Sequence, residues 1–147
     1  MLSFGISRIS ETKYGNGKAK KTSMHDYAFH FQCPWRFVKK EDILLASFDI
    51  YNPYDESMED DYWDWDVFGR DDQSSSVFDI KAAELVKEVL PLKITGIYQD
   101  DTNDLHIDFD KGIYFRTFIN CSTKREYYRF IDFTSEESEH YVVFDTD

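Results

Sequence analysis

The residues with the clearest chemical character lie between positions 51 and 75, where carboxylates alternate with aromatic side chains. A buried strand does not tolerate so many carboxylates, and a purely solvated loop has no need of two Trp residues. The mixture therefore predicts a surface that binds a partner, with carboxylates supplying charge and rings supplying buried area. The residues predicted to contact the partner are Asp60, Asp61, Tyr62, Trp63, Asp64, Trp65 and Asp66.

A second candidate site combines arginine and aromatic residues on two predicted strands. Trp35 is adjacent to Arg36, and Tyr128 is adjacent to Arg129 in the same way. An Arg guanidinium stacks on aromatic rings and binds a carboxylate through two parallel hydrogen bonds. With Trp65, the residues Trp35, Arg36 and Arg129 are candidates to line a small-ligand pocket. The alternative interpretation is structural, since such arginines also fasten a neighbouring acidic loop, here Asp49 or residues 64–66.

Signatures of catalysis and of metal binding are missing from the sequence. The four His residues lack metal-binding helical spacing, the two Cys residues form no CxxC pair, and no phosphate-binding loop or nucleophile elbow occurs. Carboxylates near His30 or His106 leave open an acid and base pair. The sequence thus predicts that the protein is not an enzyme and has no catalytic residue, metal site or cofactor.

The charge of the chain restricts the class of partner. The formal net charge is −12 over 147 residues, although residues 1–40 carry eight Lys or Arg against two Asp or Glu. Proteins that follow a phosphate backbone need Lys and Arg to neutralise it, so no nucleic-acid partner is expected. A basic protein, such as a toxin, is the expected partner. The alternative is that the acidity only maintains solubility.

The cellular setting is predicted from absent signals. The N-terminus lacks a charged region followed by an apolar run, and no stretch of about 18 apolar residues occurs. The two Cys residues have strand-like flanks that suit reduced thiols. We therefore expect a cytoplasmic protein without membrane contact. The sequence leaves the oligomeric state open.

The elements that position these residues follow from hydrophobic periodicity. Alternating apolar and polar residues predict strands such as 27–33 and 105–109. Ser76 is the predicted N-cap of one main helix, Asp79 completes a capping box, and Pro91 ends the helix.

The predicted fold is α+β. A single domain over residues 1–147 has a largely antiparallel sheet of about six to eight strands with one main helix packed on it. Residues 13–24 are predicted to form a flexible basic loop, and residues 51–75 an acidic aromatic loop.

Several motifs resemble a family of small, uncharacterised bacterial proteins. They are Cys33-Pro34-Trp35-Arg36, Trp63-Asp64-Trp65-Asp66-Val67-Phe68-Gly69 and Glu126-Tyr127-Tyr128-Arg129-Phe130. The resemblance covers most of the chain from about residue 25 onward and departs from the family pattern at Tyr128, where Trp is usual. It implies a bacterial, cytosolic, compact single domain and transfers no catalytic residue.

Three hypotheses about function follow. The first is an acidic bacterial interaction protein of the immunity type, which neutralises a basic toxin by placing carboxylates where substrate phosphates would sit. The alternative is a small-ligand binding module. The third, an enzyme, depends on the carboxylates near His30 or His106 alone.

Overall fold

A computed structural model describes residues 1–13, 19–57, 63–64, 75–123, 125–135 and 139–144. Nine strands among these residues form two antiparallel sheets, and one main helix begins at Val77. The predicted α+β class is confirmed. In chain order the strands are β1 (Leu2–Lys13), β2 (Ala19–Phe31), β3 (Trp35–Lys39), β4 (Asp42–Ala46), β5 (Ile94–Gln99), β6 (Leu105–Phe109), β7 (Ile113–Thr117), β8 (Glu126–Asp132) and β9 (Glu139–Phe144).

The strands divide between two compact units of the chain. The outer unit consists of Met1–Cys33 and Cys121–Asp147, and the inner unit is the continuous segment Pro34–Asn120. The outer unit contains a sheet of order β1-β2-β8-β9, and the inner unit contains a sheet of order β4-β3-β7-β6-β5. A single domain over residues 1–147 stays a prediction.

The sheet of the outer unit carries aromatic side chains along one face. Phe29 and Phe130 are paired across β2 and β8, and their ring centroids are 5.3 Å apart. Phe4 on β1 stacks on Tyr27 at 5.5 Å. On the opposite face Ala28 is fully buried. This alternation is what the period-2 pattern of the sequence predicts for strands.

The prediction of a basic loop over residues 13–24 is wrong at both ends, where the structure has strands. Lys13 ends β1, and residues 19–24 belong to β2, while residues 14–18 lie outside the described part of the chain. The two strands pair in register through this region, with Glu11 opposite Lys21. Backbone hydrogen bonds along the β1–β2 ladder outweigh the low strand propensity of the lysines.

The inner unit has its core on one face of the five-stranded sheet. Phe37, Phe115 and Ile107 are in register across β3, β7 and β6, and the first two rings lie 5.0 Å apart. Phe115 and Ile107 are almost completely buried. The Thr117 hydroxyl accepts a hydrogen bond from the Leu105 amide at 2.7 Å, so the polar group at the end of this core has a partner.

The helix α1 spans Val77–Glu84 and is followed by a π-helical turn over Leu85–Val89. The predicted capping box at Ser76 is confirmed, because its hydroxyl accepts from the Asp79 amide at 3.1 Å. Phe78 packs edge-on against Trp35 of β3 at 6.1 Å. The π-helical turn changes the helical register, and Val86 within this turn is 61% exposed.

Candidate interaction surface

The acidic aromatic segment is anchored at its base by backbone hydrogen bonds. The Tyr54 amide donates to the Ser75 carbonyl at 2.9 Å, and the Val77 amide donates to the Asn52 carbonyl at 2.9 Å. Pro53 and Ser76 form a bridge between these bonds. The N-cap residue of α1 therefore also closes the base of residues 55–74.

Aromatic side chains are exposed at this base. Phe48, Tyr51 and Tyr54 are 57%, 48% and 55% exposed. The first two lie on a 3-10 turn over Ser47–Tyr51, where the Asp49 carboxylate accepts from the Ala46 amide at 2.9 Å. Residues three apart lie above one another on a 3-10 helix, and the rings of Phe48 and Tyr51 are accordingly 5.7 Å apart.

Exposed carboxylates follow these aromatic residues along the chain. Asp55, Glu56 and Asp64 are all exposed, and Trp63 is half-buried. The Asp55 carboxylate accepts from the hydroxyl and the amide of Ser57 at 2.6 and 2.9 Å. Both bonds favour the ionised form and lower the pKa of Asp55, so this position carries negative charge into mild acid.

The described residues include part of the predicted partner-binding set. Trp63 and Asp64 belong to the described residues, whereas the other five lie outside them. Phe48 was missed because it follows an apolar run that predicts a strand. The spacing of three between Phe48 and Tyr51 was the signal for a 3-10 turn. Outside the described part of the chain are Asp60, Asp61, Tyr62, Trp65 and Asp66.

Trp35 and Arg36 of the predicted ligand pocket point to opposite faces of β3. Trp35 packs among the core rings, 5.6 Å from Phe115. The Arg36 guanidinium instead lies over the ring of Phe118, with its carbon 4.5 Å from the ring centroid. Successive side chains of a strand alternate between faces, so the structure does not bring these neighbours together in one site.

Arg129 belongs to the outer unit, whereas Trp35 and Arg36 belong to the inner unit. Its Nε and Nη2 both donate to the Glu126 carboxylate, the first at 2.6 Å. Gln32 donates to the same carboxylate at 2.9 Å. These bonds lower the pKa of Glu126, and the bond from Arg129 has the largest effect. Arg129 thus pairs with Glu126 on its own strand, whereas the structural interpretation names Asp49 or residues 64–66 as the acidic partner.

His106 is held in a hydrogen-bonded cluster on β6. Its Nε2 lies 2.7 Å from the Asp100 carboxylate, its ring stacks on Tyr98 at 4.5 Å, and its Nδ1 is buried without a partner. The bond from His106, followed by that from Thr102, lowers the pKa of Asp100 far below its ordinary value. One ring nitrogen of His106 is hydrogen-bonded, and the other is shielded from water. His106 therefore links the turn at Asp100 to the sheet.

Neither a metal site nor a membrane-spanning helix occurs among the described residues. No group of three or more His, Cys, Asp or Glu among these residues has the arrangement of a metal site. None of the described helices has the length and apolar character needed to cross a membrane.

Comparison with known proteins found no matching family model, no matching curated protein and no matching solved structure. The resemblance to small bacterial proteins therefore stays a prediction.

Proposed function

We propose that the chain is an acidic interaction protein that binds a basic protein partner through the surface formed by Phe48, Tyr51, Tyr54 and the acidic segment that follows them. The observation that supports this proposal is the exposure of three aromatic rings at the base of a segment in which Asp55, Glu56 and Asp64 are also exposed. Buried rings supply most of the binding energy at interfaces, and surrounding charge sets partner choice and association rate.

The distribution of charge between the units agrees with this surface. The inner unit, which contains it, carries nine Lys or Arg against twenty Asp or Glu, whereas the outer unit carries eight against nine. An acidic surface of this kind attracts a partner with clustered Lys and Arg. Nuclease toxins are such proteins, because they bind phosphates, and an immunity protein inhibits them by presenting carboxylates in place of those phosphates.

A pull-down experiment tests the proposal. Wild-type protein and the triple variant Asp55→Lys, Glu56→Lys and Asp64→Lys are each incubated with a bacterial lysate and washed at low and at high salt. We expect wild type to capture a basic protein at low salt and the variant to lose it. A further variant with Asp60, Asp61 and Asp64 changed to Lys extends the test to the predicted residues.

The matched control reverses three exposed carboxylates elsewhere in the inner unit: Glu41→Lys, Glu88→Lys and Asp101→Lys. It changes the net charge by the same amount, so it separates a local surface from the overall charge. Equal loss of the captured protein in both triple variants contradicts the proposal. Capture that is unchanged in the first variant contradicts it as well.

A further inference from the structure

The second face of the inner sheet carries a row of residues in register across all five strands. Two of them, Arg36 on β3 and Arg116 on β7, are directly opposite each other. Like charges in directly opposite positions destabilise an antiparallel pair. This arrangement therefore needs compensating anions. From β4 to β5 the row is Ala46, Arg36, Arg116, His106 and Tyr98.

Arg116 has its compensation within the sheet. Its Nη2 lies 2.7 Å from the Asp108 carboxylate, and its Nη1 donates to the Phe115 carbonyl at 2.8 Å. Its guanidinium also lies 4.7 Å from the ring centroid of Tyr114. The side chain is only 18% exposed, so these partners replace most of its water.

Arg36 lacks such compensation among the described residues. The ion pairs among the described residues engage Arg116, Arg129 and His106 but not Arg36. Its Nε is buried without a hydrogen-bond partner. The carboxylates bonded to the other members of this row have partners of their own: Asp108 binds Arg116, Asp100 binds His106, and Asp49 accepts from the Ala46 amide. A shielded donor without an acceptor costs free energy and calls for an explanation in a folded protein.

We propose that Arg36 binds an oxyanion, which is a carboxylate or phosphate group of a small ligand. The Phe118 ring, 38% exposed, supports the guanidinium from one side, with its centroid 4.5 Å from the guanidinium carbon. A planar guanidinium matches an oxyanion through two parallel hydrogen bonds. Partial burial strengthens the attraction relative to water. This site differs from the predicted pocket, because Trp35 and Arg129 do not contribute to it.

An NMR titration of the full chain tests this site. Inorganic phosphate and benzoate are added separately, with sodium chloride at matched ionic strength as the reference. We expect a saturable shift of the Arg36 Nε–H resonance and of the Phe118 amide with at least one anion and none with chloride. The anion that gives the tighter binding distinguishes a phosphate ligand from a carboxylate ligand.

Two variants assign the binding to this position. Arg36→Gln is expected to weaken binding by about tenfold or more. Lys39→Gln removes the same charge from an exposed residue on the same strand and is expected to stay within about twofold of wild type. If circular dichroism shows that Arg36→Gln is unfolded, Arg36→Lys replaces it, because it keeps the charge and loses the planar guanidinium.

The proposal is overturned by any of three results. The first is the absence of a saturable shift with both anions. The second is binding by the folded Arg36 variant that equals binding by wild type. The third is an equal loss of binding in Lys39→Gln, since that would assign the effect to net charge.

Discussion

At the residue scale, Asp100 shows how one side chain organises a turn. Its Oδ1 accepts from the amide and hydroxyl of Thr102 at 2.9 and 2.7 Å and from the Asp104 amide at 3.1 Å. Its Oδ2 binds His106. A carboxylate with several donors is strongly favoured in its ionised form. The turn before β6 therefore depends on the charge of this one residue.

Asp100→Asn is expected to lower the free energy of unfolding at neutral pH, and the difference from wild type should shrink in acid. The folded pKa of Asp100 lies below its unfolded value. The stabilisation is therefore complete above a pH of about 4 and is lost as the pH falls towards the folded pKa. Urea unfolding of both proteins between neutral and acidic pH measures this difference.

Asp101→Asn serves as the control for that experiment, since Asp101 is an exposed carboxylate in the same turn. Its free energy of unfolding should follow that of wild type at every pH. A difference between Asp100→Asn and wild type that is constant across the pH range would show that the ionised carboxylate is not the source of the stabilisation.

Contacts of single residues were only partly predictable from the sequence. A carboxylate partner for Arg129 was predicted, but its identity as Glu126 was not, because residues three apart on a regular strand face opposite sides and β8 is irregular between Glu126 and Tyr128. The position of Arg36 opposite Arg116 was not predicted either, because it depends on the register of β3 on β7. The two arginines are 80 positions apart in the chain, and no local signal specifies their pairing.

At the element scale, the start of α1 combines two tasks. Ser76 caps the helix and also pairs with Pro53 at the base of the acidic segment. The Ser76 hydroxyl donates to the Asp79 carboxylate at 2.8 Å in addition to accepting from the Asp79 amide. Helix formation and closure of the base are therefore coupled through one side chain.

Ser76→Ala is expected to lower the free energy of unfolding by about 1 kcal/mol, which is the usual cost of losing an N-cap. Urea unfolding of Ser76→Ala, Asp79→Ala and the double variant forms a cycle that isolates the coupling between the two side chains. The cost in the double variant should be smaller than the sum of the single costs. Strict additivity would contradict a shared capping box.

Local and non-local elements differed in how well the sequence predicted them. The helix start was predictable, because Ser76 and Asp79 are three residues apart and specify the cap by themselves. The partition into two sheets was not predictable, because β2 pairs with β8 although the whole inner unit lies between them in the chain. The strand character of residues 19–24 likewise depends on their partners in β1. Hydrophobic periodicity identifies a strand without identifying its neighbour.

At the scale of the whole molecule, negative charge is concentrated in the inner unit. Long-range attraction raises the association rate of a basic partner and is screened by salt, whereas buried rings slow dissociation. Under the proposed function, the charged and aromatic residues therefore have separable kinetic effects. The same inner unit contains both sets of residues.

The kinetic prediction concerns the captured partner, measured by surface plasmon resonance at several salt concentrations. Asp55→Lys, Glu56→Lys and Asp64→Lys together should lower the association rate constant, most strongly at low salt. Tyr54→Ala should instead raise the dissociation rate constant, by about tenfold or more, with little change in association. An effect of Tyr54→Ala on association alone would contradict the role of the ring as a buried anchor.

The path of the chain has a consequence for how such a molecule is altered. The inner unit begins and ends at one place, because the Phe118 amide donates to the Pro34 carbonyl at 2.8 Å. In the outer unit, the strands that precede and follow this segment are neighbours in one sheet. A segment with adjacent ends is transferable as one cassette. A single genetic exchange of this segment would transfer the acidic surface together with Arg36 and Arg116. The strands β1, β2, β8 and β9 would remain and could receive another insert.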